Sequence, residues 1–266
     1  MKMKRLLVGV VGILVIHLAG SAQADEARKI MEMQKARHEA QTEESRANMT
    51  LIDRRGREKT RGLYTIKMKD GERNRVLLKF LAPGDIRNVG LLTWEQPGGK
   101  EDDQWLFLPA SKRVKRISGG AKKNSFMGTD LAFEDLRPEN LDSFQYEVLP
   151  EQIIDGQSCH VITAVPNTAK EKQGTGYSKR VLYIRKDILV TVKTEYFDRR
   201  DKMSKVSRSS KFENLKGDLW RGNHFEMENL MKKTKTILEH HSRKLDPELG
   251  KDEFSQAALR RPSTIR

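Results

Sequence analysis

The fold is decided by the stretch YTIKMKDGERNRVLLKFLAPG, residues 64–84. Apolar residues alternate with polar ones on both sides of Asp70-Gly71, a dipeptide typical of a tight hairpin turn. Pro83-Gly84 then ends the second run, because proline and glycine interrupt regular structure. The stretch therefore predicts two antiparallel strands joined by a short turn.

Alternating runs of the same kind recur along the chain at roughly ten-residue spacing. Turn signals separate them, as at Pro97-Gly98-Gly99 and Asp155-Gly156. This pattern predicts a mainly β fold, a meandering antiparallel sheet or barrel of about eleven strands. Residues 25–44 are rich in helix-forming side chains and predict an N-terminal helix. A short helix is predicted beyond Leu245, and we expect one domain over 25–260 with a flexible tail at 261–266.

Residues 118–143 interrupt the alternation with SGGAKKNSFMGTDLAFEDLRPENLDS. An irregular but apolar-rich segment between strands is typical of a lid or a loop packed over a core. A curved sheet under such a lid can enclose an apolar ligand. For any single apolar residue, an ordinary place in the core is the alternative. The predicted ligand-binding residues are Leu91, Trp94, Trp105, Phe107, Phe126, Met127, Leu131, Phe133 and Leu136.

The N-terminus reads MKMKRLLVGVVGILVIHLAGSAQA, residues 1–24. A basic start, an apolar stretch and small residues before the end are the three parts of a secretory signal peptide. The alternative is an uncleaved membrane anchor, but the apolar stretch is shorter than the ~20 residues a spanning helix needs. We therefore predict cleavage after Ala24 and an exported chain that begins at Asp25.

The chain of 266 residues carries 51 Lys and Arg against 37 Asp and Glu, a formal charge of +14. Three of the basic residues belong to the predicted signal. Export makes nucleic acid an unsuitable partner, so the remaining charge points to anionic lipid or a protein. A basic run either protects a sheet edge from pairing or docks on head groups or a partner. Its residues are Lys112, Arg113, Lys115 and Arg116.

Catalytic and metal-binding patterns such as HExxH, CxxC, GxSxG and the P-loop do not occur in the sequence. Cys159-His160 and His240-His241 are adjacent pairs, so on strands their side chains point to opposite faces. We predict no catalytic residue, no metal, no cofactor and no enzymatic activity. The single cysteine is predicted to be a buried strand residue.

Three blocks carry a family resemblance: QWLFLP at 104–109, KRVKRI at 112–117 and SFMGTDLAFEDL at 125–136. They resemble the outer-membrane lipoprotein-sorting protein family, in the LolA-like branch associated with inner-membrane exporters of the RND superfamily. The resemblance implies an incomplete antiparallel barrel wrapped around a helical lid and a hydrophobic cavity. It also implies a periplasmic carrier that shields acyl chains of a lipoprotein or lipid, working with an inner-membrane transporter.

Two points stay open at this stage. The first is an alternative function, a periplasmic docking or signalling module that binds a protein partner instead of lipid. The second is the arginine that closes the lid in the classical chaperones. From motif position alone, Arg113 and Arg116 are the nearest candidates for that arginine in this sequence.

Overall fold

The computed structural model describes residues 11–97 and 100–263. Within these ranges, thirteen strands form one antiparallel sheet in the order β6-β5-β4-β3-β2-β1-β13-β12-β11-β10-β9-β8-β7. The strands are β1 Thr42–Ile52, β2 Glu58–Asp70, β3 Arg73–Ala82, β4 Gly90–Trp94, β5 Asp103–Leu108, β6 Arg113–Ile117, β7 Phe144–Ile154, β8 Gln157–Pro166, β9 Tyr177–Arg185, β10 Thr191–Asp198, β11 Met203–Lys216, β12 Leu219–Asn229 and β13 Thr234–Leu245. The helices are α1 Val11–Arg37, α2 Ala169–Gly174 and α3 Gln256–Arg260.

The sheet is open, because β6 and β7 form its two ends and do not pair with each other. The prediction of a mainly β, incomplete antiparallel barrel is therefore confirmed. The number of strands in the described residues is thirteen, compared with the predicted number of about eleven. The Asp70-Gly71 hairpin joins β2 to β3 as predicted, with Asp70 opposite Arg73.

The two faces of the sheet are covered by different parts of the chain. We call the face covered by α1 and residues 118–143 the inner face; Met49, Leu63 and Phe80 lie on it. The outer face carries Ile66, Leu77 and Leu92, among others, and is covered by the C-terminal segment 247–263. Successive strand residues point to opposite faces, so the same strands supply both clusters.

Helix α1 differs from its predicted bounds at both ends. It begins at Val11 and ends at Arg37, whereas Thr42 to Glu44 of the predicted helix belong to β1. These residues pair with β2 on one side and lie beside β13 on the other, and this pairing overrides their helix propensity. Residues 1–10 of the predicted signal peptide lie outside the described residues. No described helix combines the length and apolar character needed to cross a bilayer.

The C-terminal segment confirms the predicted short helix. A single 3₁₀ turn at Lys251–Phe254 leads into α3, and Phe254 and Leu259 are fully buried against the outer face. Lys79 on β3 donates hydrogen bonds to the carbonyl oxygens of Ala258 and Arg261. The predicted tail is thus hydrogen-bonded at its first residue, and residues 264–266 lie outside the described part of the chain.

Candidate functional site

The centre of the 118–143 segment, which we call the insert, is a small hairpin. Ser125 and Ala132 form an isolated β-bridge, and the Thr129 amide donates to the Phe126 carbonyl at 3.0 Å. Met127 and Gly128 at the turn both have positive φ angles, 49° and 78°. Glycine tolerates that conformation readily, whereas methionine rarely adopts it. The turn therefore holds Met127 in a sparsely populated backbone conformation at the tip of the insert.

Aromatic side chains pack the insert against the inner face. The Phe126 ring is fully buried and stacks on Phe80 of β3 with a centroid distance of 5.6 Å. Phe133 meets the other side of Phe126 edge-on at 5.5 Å. Such aromatic pairs add ~0.5–1.5 kcal/mol to the free energy gained from burial alone. The insert is therefore closed over this half of the inner face.

Polar contacts from three strands hold the insert in this position. Arg61 on β2 donates from Nη1 to the Met127 carbonyl at 2.8 Å. The Asp130 carboxylate accepts hydrogen bonds from the hydroxyls of Thr234 and Thr236 on β13. The side-chain amide of Gln104 on β5 donates to the carbonyl oxygen of Phe133 at 3.0 Å. These bonds link the insert to strands that are distant in sequence.

The second half of the insert is anchored by buried charges. Glu134 accepts from the Thr175 hydroxyl and the Gly176 amide, at 2.5 and 2.8 Å. Burial raises the pKa of Glu134 above its ordinary value, and the neighbouring carboxylate of Asp135 raises it further. Asp135 accepts a hydrogen bond from the Tyr177 hydroxyl at 3.0 Å. This part of the insert is thereby tied to the start of β9.

A cavity of about 510 Å³ lies between α1, residues 138–141 of the insert and the middle strands of the sheet. Its volume is in the range of pockets that enclose small organic ligands. The apolar part of its wall comes from α1, the insert, the β9–β10 connection and strands β11, β12 and β13. These residues are Met31, Leu141, Val190, Phe212, Trp220, Phe225 and Leu238.

Polar side chains also line this cavity. The His38 ring lies near the carbonyl oxygens of Ile188 and Leu189, and its other nitrogen accepts from the Trp220 amide. Burial, with a smaller effect from Arg243, lowers the pKa of His240 to about 4. Both rings are therefore mainly uncharged at neutral pH, since burial also lowers the pKa of His38.

The structure separates the nine predicted ligand-binding residues into two groups. Six of them pack beneath or within the insert on the inner face: Leu91, Phe126, Met127, Leu131, Phe133 and Leu136. The other three lie on the outer face, and the Trp94 indole N–H donates to the Phe254 carbonyl at 2.7 Å. Trp105 and Phe107 point outward because they alternate with the inward Gln104 and Leu106 along β5.

In the described part of the chain, none of these nine residues lines the cavity. Sequence reasoning missed the wall residues of α1 and β11–β13. Phe225 and Leu238 pair directly across β12 and β13, so the alternation in both strands carried a usable signal. Which face of these strands turns inward is set by α1, more than 180 residues earlier in the chain.

The predicted basic run lies on β6, at one edge of the sheet, with Lys112 preceding it. Lys112, Arg113, Lys115 and Arg116 are all exposed, and Arg116 pairs with Asp103 of the neighbouring strand. Arg61 contacts the tip of the insert through the Met127 carbonyl, whereas Arg113 and Arg116 are exposed on the edge strand, and their assignment as the lid-closing arginine stays a prediction. Arg61 is separated from Met127 by 66 positions, and no local pattern marks it.

Cys159 is a free thiol with no exposed surface, as predicted, and burial raises its pKa. A thiol of that kind reacts poorly, since the thiolate is the nucleophile. Across the described ranges, no three His, Cys, Asp or Glu side chains come together in a way that could hold a metal ion.

Comparison with solved structures identifies close relatives in fold. An outer membrane lipoprotein-sorting protein domain from Vibrio parahaemolyticus matches with a TM-score of 0.84 and 27% identity, over 90% of this chain and 100% of that one. A DUF1329 family protein from Desulfovibrio piger matches with a TM-score of 0.83 and 28% identity, over 89% and 99%. A LolA superfamily protein from Nitrosomonas europaea shares the fold, with a TM-score of 0.67 and 18% identity over 87% and 98%.

Of two sequence comparisons, one found no match and the other found a family. No curated protein matches the chain. A family model described as "Uncharacterized protein" matches residues 72–261, which is more than half of the chain. Together with the similarity to the lipoprotein-sorting domain, this match shows that the chain belongs to the LolA-like outer-membrane lipoprotein-sorting protein family.

Proposed function

We propose that the chain is a periplasmic carrier that shields the acyl chains of a lipoprotein or lipid in the inner-face cavity. The observation that carries this proposal is a cavity of about 510 Å³ with a largely apolar wall, in a member of the lipoprotein-sorting family. Burying each methylene of an acyl chain contributes ~0.8 kcal/mol, so a partly enclosed chain supplies much of the binding free energy. The proposal requires no chemical step and no cofactor.

The insert acts as a lid in this proposal. Its apolar residues fill the inner face beside the cavity, and Arg61, Gln104 and Asp130 hold them there. Opening the insert would extend the binding surface onto the cluster that contains Leu91 and Phe126. The six predicted ligand-binding residues of the inner face would then contact the acyl chain. Trp94, Trp105 and Phe107 have no part in this proposal.

Export fits the way in which α1 packs. Among the residues of α1 whose side chains are described, 23–37, those buried against the inner face include Ala27, Ile30 and Met31, and all three follow the predicted cleavage site. Removal of residues 1–24 would therefore leave these contacts intact. In the periplasm, the exposed basic edge at β6 would dock on an anionic membrane surface or on an inner-membrane transporter of the RND type.

Analysis of bound lipid tests the carrier function. The exported chain is purified from the periplasm, extracted with organic solvent and analysed by mass spectrometry, and the extracted protein is titrated with a fluorescent fatty acid. Ser209→Trp places a large ring at the cavity wall, whereas Ser210→Trp places it on the exposed opposite face of β11. We expect the first variant to lose most acyl binding and the second to keep it.

Two results would contradict the carrier function. Recovery of no acyl compound, with no uptake of the fluorescent fatty acid by the unaltered chain, would show that the cavity does not hold lipid. Stoichiometric cross-linking to one membrane protein, equal with and without lipid, would then favour the docking module instead.

A further inference from the structure

We infer that the ligand of the inner-face cavity carries an anionic head group, bound by Lys67 at the cavity wall. The inference rests on the proposed carrier function and specifies which amphiphiles it carries. It assigns a head-group site to one end of the cavity and leaves the apolar wall to the acyl chain.

Lys67 is the one cation of the cavity wall with no ion-pair partner in the described residues. It lies on β2 and is half-buried, and its ammonium group makes no hydrogen bond or ion pair within the described ranges. The other two cations of the wall are engaged: Lys35 with Glu95, and Arg221 with Glu43 and the His38 carbonyl. Histidine does not fill this role, because burial keeps the rings of the wall uncharged near neutral pH.

The carboxylates around Lys67 are already paired with other cations. Those whose charge acts on Lys67 most strongly are Glu43, Glu39 and Glu95. The ion pairs at this end of the cavity, with their N···O distances, are Arg221–Glu43 at 2.8 Å, Arg243–Glu43 at 2.8 Å, Lys69–Glu39 at 2.5 Å, Lys35–Glu95 at 2.9 Å and Arg180–Glu139 at 2.7 Å. Hence, among the described residues, none of these carboxylates is left to pair with Lys67.

A half-buried ammonium group without a partner is unfavourable, because it has lost part of its hydration and gained no ion pair. Burial lowers the pKa of Lys67, and the positive charge of Arg221 lowers it further. An anionic oxygen brought by the ligand would supply the missing partner. The adjoining wall of Trp220, Phe225 and Leu238 is apolar and suits an alkyl chain.

The matching ligand is therefore an acyl or alkyl chain with a carboxylate or phosphate head. Both heads offer the same chemistry to Lys67, an anionic oxygen at the end of an apolar chain. A free fatty acid and a phospholipid-like molecule are the two sources, and the test distinguishes them with separate probes.

The test compares head groups on chains of equal length. Delipidated protein is titrated with decanoate, decyl phosphate, 1-decanol and decyltrimethylammonium, and binding is followed by calorimetry. We expect at least one anion to bind about tenfold or more tightly than decanol, the range for a hydrogen bond to a charged group. A preference for decanoate identifies a fatty-acid head, and a preference for decyl phosphate identifies a phosphate head.

Variants of Lys67 assign the preference to this side chain. Lys67→Met and Lys67→Gln should bind decanol as the unaltered chain does and lose the preference for anions, whereas Lys67→Arg should retain it. Lys59→Met is the matched control, since Lys59 lies on the same strand but is exposed and pairs with Asp85. Equal affinity for anions and decanol, or a preference that survives both Lys67→Met and Lys67→Gln, overturns the inference. Failure of all four amphiphiles to bind would instead overturn the carrier function on which it rests.

Discussion

Arg61 is the side chain that joins the sheet directly to the tip of the insert. Its exposed fraction is 8%, it donates to the Met127 carbonyl, and its guanidinium lies 5.5 Å from the centre of the Phe80 ring. Burial lowers its pKa, as expected for a cation that has lost hydration. At the residue scale, Arg61 thus contributes one charged hydrogen bond, over an aromatic cluster, to the contacts that keep the insert closed.

Replacement of Arg61 by methionine should loosen the insert. Methionine keeps the apolar contact with Phe80 but cannot donate to Met127, and loss of a hydrogen bond from a charged group costs ~1.5–3 kcal/mol. We expect faster amide hydrogen exchange at Phe126 and Thr129, measured by mass spectrometry. Arg57→Met at the exposed β1–β2 turn is the control and should leave their exchange unchanged. Unaltered exchange in Arg61→Met would mean that packing and the remaining hydrogen bonds hold the insert without Arg61.

His240 should make the stability of the fold depend on pH, because burial lowers its pKa in the fold to about 4. The pKa of histidine in the unfolded chain is about 6.5. Above that pH the ring is neutral in both states, so its contribution to the stability of the fold is fully present. This contribution is lost as the pH falls from 6.5 toward 4, by ~1–3 kcal/mol.

His240→Gln should therefore show a smaller decrease in the free energy of unfolding over that pH window than the unaltered chain. Urea unfolding at pH 7, 5.5 and 4 measures the difference. Parallel decreases in the two proteins would contradict the assignment, since other titrating groups are common to both.

At the scale of elements, the C-terminal segment and the insert cover opposite faces of the sheet. Phe254 is fully buried among Ile66, Leu77, Leu92 and Phe107 on the outer face. The cavity lies on the inner face and is lined by other residues. Stability and ligand binding should therefore respond separately to changes in this segment.

Phe254→Ala should lower the free energy of unfolding by ~3–5 kcal/mol, because it removes a ring from a packed cluster and leaves a cavity. Urea unfolding measures the decrease in the free energy of unfolding. Phe254→Leu should decrease it less, because leucine fills more of the space left by the ring. Fatty-acid binding at 20 °C or below, under conditions where the variant is folded, should stay unchanged. A variant that loses binding while its stability is retained would show that the two faces are coupled.

For the whole molecule, the open sheet leaves β6 and β7 as its two edges. The basic run lies at the β6 edge and is exposed, whereas Lys122, close to it in sequence, is buried and pairs with Glu101 at 3.0 Å. Lys122 is therefore not part of the exposed basic run. Charge at a sheet edge also prevents pairing with other strands. The position of the run is therefore compatible both with edge protection and with docking on head groups or a partner.

Membrane docking by this edge can be separated from edge protection. Glutamine at positions 112, 113, 115 and 116 should weaken cosedimentation with vesicles containing anionic lipid more than tenfold, since each basic residue near the surface contributes ~1 kcal/mol. The control variant removes four exposed charges from two turns: Arg54, Arg55, Lys232 and Lys233. Equal weakening in the two variants would assign the effect to net charge, and added salt should reduce binding of the unaltered chain.

Local properties of the sequence determined the fold class. Alternation with a period of two, turn dipeptides such as Asp70-Gly71, and the blocks at 104–136 depend on neighbouring residues, and they correctly predicted an open antiparallel sheet with an insert. The buried state of Cys159 followed from the same reasoning.

Only the tertiary structure decided which face of each strand turns inward and which side chains meet there. Alternation shows that Trp105 and Phe107 share a face, but the C-terminal segment, more than 140 residues later, makes that face the outer one. The cavity is likewise assembled from α1, the insert and the middle strands. That Lys67 has no ion-pair partner among the described residues depends on how the nearby carboxylates are paired, and such pairing between distant residues has no local trace in the sequence.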